Sequence, residues 1–280
     1  MKKILLPTDF SNNSWNAIHY ALHFFKDQRC NFVLLNTYTP IIYQFEYMQS
    51  STTQFRVMDA AKETSKNKLD ELQKKIDSEF SNPNHQFSQI SSFNSLRSEI
   101  DDLYLNNVMD IIVMGTKGAS GIAGVLFGSN TIHVIKSGNC PVLAIPSDFS
   151  FEVPHEILFP TDYEIEYQEE HIKPIIEIAK NYISRINILH VFIGNGLTDI
   201  QEKNKSILET SLKKTANLFH NVKNQSVNEA IANFQVKERV NLLVMINNKR
   251  SFFENLFFKS TISQIGFHLN IPLLIIPSRN

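Results

Sequence analysis

The chain has 280 residues, enough for two domains with cores of their own. Its 27 basic and 28 acidic side chains leave a formal net charge of −1, which lacks the basic footprint of a DNA- or RNA-binding protein. No apolar run approaches a membrane span, and Pro7, Thr8 and Asp9 cut the N-terminal run too short for a signal peptide.

In chain order, Ile4 to Thr8 reads as a buried strand. Ser11 caps a helix whose Ala17, Ile18, Ala21, Leu22 and Phe25 recur at helical spacing. Phe32 to Thr37 is a second strand. A polar-aromatic connector, Tyr38 to Thr53, leads to a charged helix over Met58–Phe80, which Ser81-Asn82-Pro83-Asn84 stops. A short strand at Phe87–Ser91, a helix at Leu96–Asn106 and a strand at Asp110–Met114 follow. After a glycine-containing segment come a helix over Asn130–Ser137, ended by Gly138, and a last strand at Val142–Ile145.

The order then repeats. Ile4-Leu5-Leu6-Pro7-Thr8-Asp9-Phe10 returns as Ile157-Leu158-Phe159-Pro160-Thr161-Asp162-Tyr163, and Pro141–Ser147 returns as Pro272–Ser278. Strands are expected at Ile157–Pro160, Ile186–Val191, Leu242–Ile246 and Leu273–Ile276, with a third strand of this half near His220–Asn224. Helices are expected over Glu166–Asn181, Thr198–Phe219, Val227–Arg239 and Thr261–Leu269. The two domains are 1–147 and 154–280, and the short linker Asp148–Pro154 implies that they pack together. Alternating strands and helices, with strands apolar on both faces, predict an α/β fold: two tandem doubly wound parallel sheets of five strands, in a flavodoxin-like or 3-2-1-4-5 order. Such sheets bind ligands at the carboxyl ends of strands, where the order reverses.

One segment carries chemistry. Met114-Gly115-Thr116-Lys117-Gly118 follows a strand, and Gly128-Ser129-Asn130-Thr131 opens a helix. Glycine permits close backbone approach, and a helix N-terminus offers unpaired N–H groups and a favourable dipole to an anion. Ser129 can be helix cap, phosphate ligand or both, and Lys117 adds positive charge. The glycines alone fit a phosphate cradle or a tight turn; neither the P-loop nor the dinucleotide pattern is present.

Gly115-x2-Gly118-x9-Gly128-Ser129, with the opening Ile4–Ser11 and the closing Cys140-Pro141-Val142-Leu143, resembles the signature of the universal stress protein family, and the similarity extends over both halves. The resemblance implies a cytoplasmic, adenine nucleotide alpha hydrolase-like protein that binds ATP, with or without Mg2+, and associates in pairs. The pairing is between its two domains, in a homodimer, or both. By the same resemblance, Pro7, Thr8 and Asp9 face adenine and ribose, and Thr37 meets the base through its backbone. Gly115, Gly118, Gly128, Ser129 and Asn130 surround ribose and phosphates, with Met114, Thr116, Lys117 and Thr131 beside them. Asp9 has a plainer role open to it, organising the turn, because Asp162 recurs in the half without glycines. Thr37 has one too, as an ordinary strand threonine. Gly121 and Gly124 read as flexible loop positions.

Ile246, Lys249 and Lys259 stand where the first half has its three glycines, so the second domain reads as a degenerate copy. Lys249, Arg250 and Lys259 are a solvated cluster or a site for another anion, and Phe252–Phe258 covers the vacant cleft or forms an interface. Cys30 and Cys140 form neither a CxxC nor a metal-ligand pattern and read as buried free thiols. His19 and His23 are a solvated pair or a partial metal site. No residue is assigned a catalytic or metal-binding role. Three functions follow: an ATP-holding stress-response module, a slow ATPase or autokinase with Thr116, Ser120 or Ser129 as phosphate acceptor, or a nucleotide-free scaffold.

Overall fold

The first half has four largely apolar strands and one polar, half-exposed strand, His85–Ser92. They are β1 (Lys2–Pro7), β2 (Cys30–Thr37), β3 (His85–Ser92), β4 (Ile111–Gly115) and β5 (Val142–Ile145). All pair in parallel, in the order β3-β2-β1-β4-β5. Helices α1 (Asn12–Phe24), α2 (Ser51–Glu79), α3 (Leu96–Leu105) and α4 (Ser129–Ser137) provide the crossovers. In this computed structural model the described residues are 1–39, 51–117, 127–138, 140–192, 196–247 and 270–278, with backbone alone for 51–55. The chain divides into two compact units, with a break between Ser147 and Asp148. Among the described residues no helix is long and apolar enough to cross a membrane.

The ladders explain where the sheet opens. Peptide groups of alternate residues face opposite neighbours in a strand. The Thr8 N–H donates to the Leu35 carbonyl on β2, whereas the Lys3 carbonyl accepts from Asp110 beside β4. Odd positions of β1 therefore face β4. The β1–β4 ladder holds only Ile4–Ile111 and Leu5–Ile112, and the next odd residue is Pro7, which has no N–H to give. The β1–β2 ladder, in contrast, runs to the Pro7–Leu35 pair.

The second unit repeats the plan with β6 (Glu156–Pro160), β7 (Arg185–Val191), β8 (Ala216–Val222), β9 (Leu242–Asn247) and β10 (Leu273–Pro277). Within it the order is β8-β7-β6-β9-β10, again parallel, and Pro160 occupies the position of Pro7. Helices α5 (Glu169–Tyr182), α6 (Asp199–Leu212) and α7 (Val227–Glu238) connect the strands. The helix expected over Thr198–Phe219 is two elements: α6 ends at Leu212 and β8 begins at Ala216. The Asn217 side-chain amide donates to the Leu212 and Thr215 carbonyls and closes the helix end. The third strand thus starts earlier than the expected His220, and helix α2 starts at Ser51, before the expected Met58. Residues 40–50 of the connector, and the helix expected at Thr261–Leu269, lie outside the described residues.

The His19 and His23 rings lie 4.7 Å apart with their planes tilted by 58°, and both meet the Phe80 ring edge-on. Among the described residues no three His, Cys, Asp or Glu side chains gather as metal ligands. Both cysteines are buried and free, and burial pushes the Cys30 thiol up to about 11.

Two expected outcomes follow from these packing details. Helix α5 ends on Ile183, which is 90% exposed and has a left-handed φ of 55°. A β-branched residue is strained there and glycine is not. Ile183→Gly is expected to stabilise the protein by about 0.5–1 kcal/mol in urea unfolding, with an unchanged m-value. His23, His85, His171 and His220 are all pushed below the ordinary 6.5, in each case chiefly by burial. Their unfolded counterparts take up protons first, so stability is present above pH 6.5 and falls as pH drops below it. Thermal unfolding followed from pH 7.5 to 5.5 is expected to show a declining midpoint.

Candidate functional site

Beyond the last β1–β4 pair, a cavity of about 310 Å³ opens at the carboxyl ends of β1, β2 and β4. Eleven of the residues singled out in the sequence line it: Pro7, Thr8, Asp9, Thr37, Met114, Gly115, Lys117, Gly128, Ser129, Asn130 and Thr131. Thr116 does not. It is buried, its N–H donates to the Ile145 carbonyl, and its carbonyl accepts from the Gly128 N–H at 2.7 Å. Gly118, Ser120, Gly121 and Gly124 lie outside the described residues.

The lining divides by what each group has left to offer. Every polar group of Thr8 is engaged. Its N–H goes to Leu35, its carbonyl accepts from the Asn36 amide at 2.8 Å, and its hydroxyl accepts from the Phe10 N–H at 2.9 Å. The same hydroxyl lies 3.0 Å from the Ser14 hydroxyl, whose own proton goes to the Ser11 carbonyl at 2.9 Å. Thr8 is therefore the donor in that pair. The Thr131 hydroxyl donates to the Gly115 carbonyl. Asp9 Oδ1 accepts from both the N–H and the hydroxyl of Ser11. The turn-organising role of Asp9 is thus a real one, and Asp162 performs it in the second unit by accepting from the Glu164 N–H at 3.0 Å.

Two sets of donors remain. Odd residues of β2 face β1, as the Leu35 carbonyl shows, so the Thr37 peptide groups face the crevice with no strand beside them. Helix α4 is capped by Gly128, which provides no side-chain hydrogen bond, so its first-turn N–H groups line the cavity uncapped. Ser129 is the first residue of the helix and not its cap. Lys117 adds a cation to the same wall.

Gly115 has a reason of its own. A Cβ there would come within 3.2 Å of the Asn13 and Lys117 carbonyl oxygens, so the first turn of α1 rests directly on it. Its counterpart Ile246 pairs with Ile276 as Gly115 pairs with Ile145, and is buried. The second unit has a different approach to its helix: α5 starts at Glu169 after Pro160, whereas α1 starts at Asn12 after Pro7, a turn four residues longer. From this longer turn the buried Tyr167 hydroxyl bonds the Thr161 hydroxyl, the role Ser14 plays for Thr8. Lys249, Arg250, Lys259 and Phe252–Phe258 lie outside the described residues.

Three lining residues escaped the sequence reading: Ser14, Leu35 and Leu96. Ser14 was legible as a serine in phase with the buried Ala17, Ile18 and Ala21 of α1, and Leu96 is in phase with Ile100 and Leu103 of α3. A second cavity, of about 330 Å³, lies on the far side of Thr8 and Ser14, between α1 and α2. There the Lys75 ammonium sits 3.6 Å above the Trp15 ring.

A sequence model of the universal stress protein family matches residues 1–146, half of the chain. The universal stress protein MJ0577 of Methanocaldococcus jannaschii is 26% identical over 156 residues, covering 51% of this chain and 94% of that protein. A second protein of that organism, universal stress protein MJ0531, is 28% identical over 144 residues, covering 51% of this chain and 81% of its own length. Over both units, the crystal structure of a universal stress protein from Archaeoglobus fulgidus aligns with a TM-score of 0.71, covering 98% of this chain and 96% of its own, at 17% identity. That likeness is one of fold.

Gly115→Ala is expected to destabilise the protein by about 1–3 kcal/mol, because backbone atoms of α1 must give way. Denaturant unfolding measures it directly; an unchanged midpoint would mean that α1 does not rest on this glycine.

Proposed function

Since the chain belongs to the universal stress protein family, we propose that its first unit binds an adenine nucleotide, ATP above all, and passes its occupancy to a stress-response partner. One observation carries the reading: the Thr37 peptide and the uncapped N-terminus of α4 open onto the same cavity. A peptide N–H and carbonyl side by side match the donor–acceptor edge of a base. Uncapped helix N–H groups, with the helix dipole and Lys117 beside them, match phosphates. The base would lie between the ends of β1 and β2 near Leu35 and Leu96, the ribose beside Asp9, and the phosphates over Gly128–Asn130.

Asp9 is the one carboxylate among the described lining residues, and its Oδ1 already holds the turn. Magnesium would therefore be carried by the phosphates. Phosphoryl transfer needs a positioned metal and an oriented nucleophile. Thr116, once a candidate acceptor, is buried with its backbone engaged. These features favour a binding module over an ATPase or autokinase. In the second unit, Ile246 replaces the glycine and the Tyr167 ring replaces the small Ser14 side chain. We read that unit as a degenerate copy without a nucleotide.

Calorimetric titration of the whole chain with Mg–ATP is expected to give one site per chain. Gly128→Leu is expected to abolish it while the melting temperature stays within a few degrees. Phosphate release from bound ATP is expected at the rate of the buffer blank. No binding by the wild-type chain would leave a nucleotide-free scaffold as the function.

A further inference from the structure

We infer that Ser14 is a positioning residue for the nucleotide, acting through Thr8 on the turn that carries Asp9 into the cavity; the inference rests on the nucleotide reading proposed above. Ser14 is 7% exposed, and so is Thr8. Its place in the first turn of a helix, in phase with Ala17, Ile18 and Ala21, is one that an apolar residue would fill at lower cost. It holds instead a hydroxyl 3.0 Å from that of Thr8 and 2.9 Å from the Ser11 carbonyl.

One assignment of the hydroxyl protons satisfies every member of this hydrogen-bond chain. The Phe10 N–H donates to the Thr8 hydroxyl, the Thr8 hydroxyl donates to Ser14, and Ser14 donates to the Ser11 carbonyl. These three bonds fasten the turn at both ends. Between them Phe10 is held at φ 63°, a left-handed conformation unfavourable for a bulky side chain, and Ser11 holds Asp9 Oδ1. Without the Ser14 hydroxyl, Thr8 has a buried proton and no acceptor. The turn then has reason to relax toward negative φ at Phe10, and Asp9 goes with it.

The second unit separates this role from plain turn-building. Tyr163 has the same left-handed conformation, φ 59°, and its N–H also donates to the threonine hydroxyl, Thr161, at 3.0 Å. The partner of that hydroxyl is Tyr167. A hydroxyl anchor is therefore what the turn requires in both units. Of the two anchors, Ser14 is the one small enough to fasten the turn while itself lining the cavity.

The test is a double-mutant cycle of ATP affinity with Ser14→Ala and Thr8→Val, plus Ser14→Thr as the conservative variant. Titrations are made well below every variant's melting transition. Loss of a buried hydroxyl contact corresponds to about a tenfold change in Kd. Ser14→Ala is expected to weaken ATP and AMP by the same factor, about tenfold, because the turn faces the nucleoside they share. The double variant is expected to be no weaker than Thr8→Val alone, and Ser14→Thr to stay within about threefold of wild type. Wild-type binding with Ser14→Ala within twofold of it, simple additivity in the cycle, or a loss confined to ATP overturns the inference and leaves the nucleotide reading standing. Absence of wild-type binding overturns that reading and takes the inference with it.

Discussion

A missing hydrogen-bond donor decides where this fold has a cavity. Strand β1 lies at the centre of its sheet, between β2 and β4. On the β2 side its ladder is complete to the last residue. On the β4 side it stops after two pairs, because the next donor in line is the proline nitrogen of Pro7. A central strand bonded on one flank and released on the other leaves a wedge between β1 and β4. The order reversal of a 3-2-1-4-5 sheet puts that wedge where no crossover helix fills it. The cavity lies at this release, with the N-terminus of α4 beside it, and the Thr37 peptide faces it because the β1–β2 ladder ends at Leu35. Pro160 reproduces it in the second unit, so the opening belongs to the architecture, and what differs between the units is how the opening is furnished.

The furnishing follows from polar accounting at the end of the first strand. Thr8 and Thr161 both bond the N–H two residues on, which holds an aromatic residue left-handed, and both carbonyls meet a side chain of the second strand. That side chain is Asn36 in the first unit and His190 in the second. Beyond this shared turn the units part. The first passes on from Asn36 to Ser65 of α2 and from there to Ser91 of β3, through buried or half-buried hydroxyls at 2.7 and 2.8 Å. The second stacks His190 on the Tyr163 ring and ties the Tyr163 carbonyl to Asn204 of α6. One unit holds its turn with small hydroxyls and retains volume; the other holds it with rings and fills volume.

Much of this was legible in the sequence, for identifiable reasons. Runs such as Ile4–Leu6 and Leu273–Ile276 are apolar on both faces and read as buried parallel strands. The repeated Pro-Thr-Asp marked both turns. The first four residues of β8, Ala216–Phe219, read as the tail of a helix because β8 ends its unit's strand order and is half-exposed. Its sequence, Ala216-Asn217-Leu218-Phe219-His220-Asn221-Val222, has no period-2 apolar alternation and blends into the tail of α6. Gly115 does end a strand and Gly128 does precede a helix, but the reason for Gly115 was not accessible: the backbone pressing on it comes from Asn13, distant in sequence. Ser14, Ser65 and Asn204 share a signal that composition hides. Each is a polar residue in phase with buried apolar positions of its helix: Ala17 and Ala21, Leu69 and Ile76, Leu208 and Leu212. Each reaches a turn or strand end beneath it. A lone polar residue on an apolar stripe is thus a better pointer to the crevice than the exposed charges around it.

Trp15 follows Ser14 and is the chain's one tryptophan. With the Lys75 ammonium against its ring, its emission senses the junction of α1 and α2 and has no counterpart beyond Ser147. The protein is optically lopsided. Its indole signal follows the first unit alone, while far-ultraviolet dichroism averages both. If the two units melt at different temperatures, these two signals will give different transitions from one sample, and the difference will say which unit opened first.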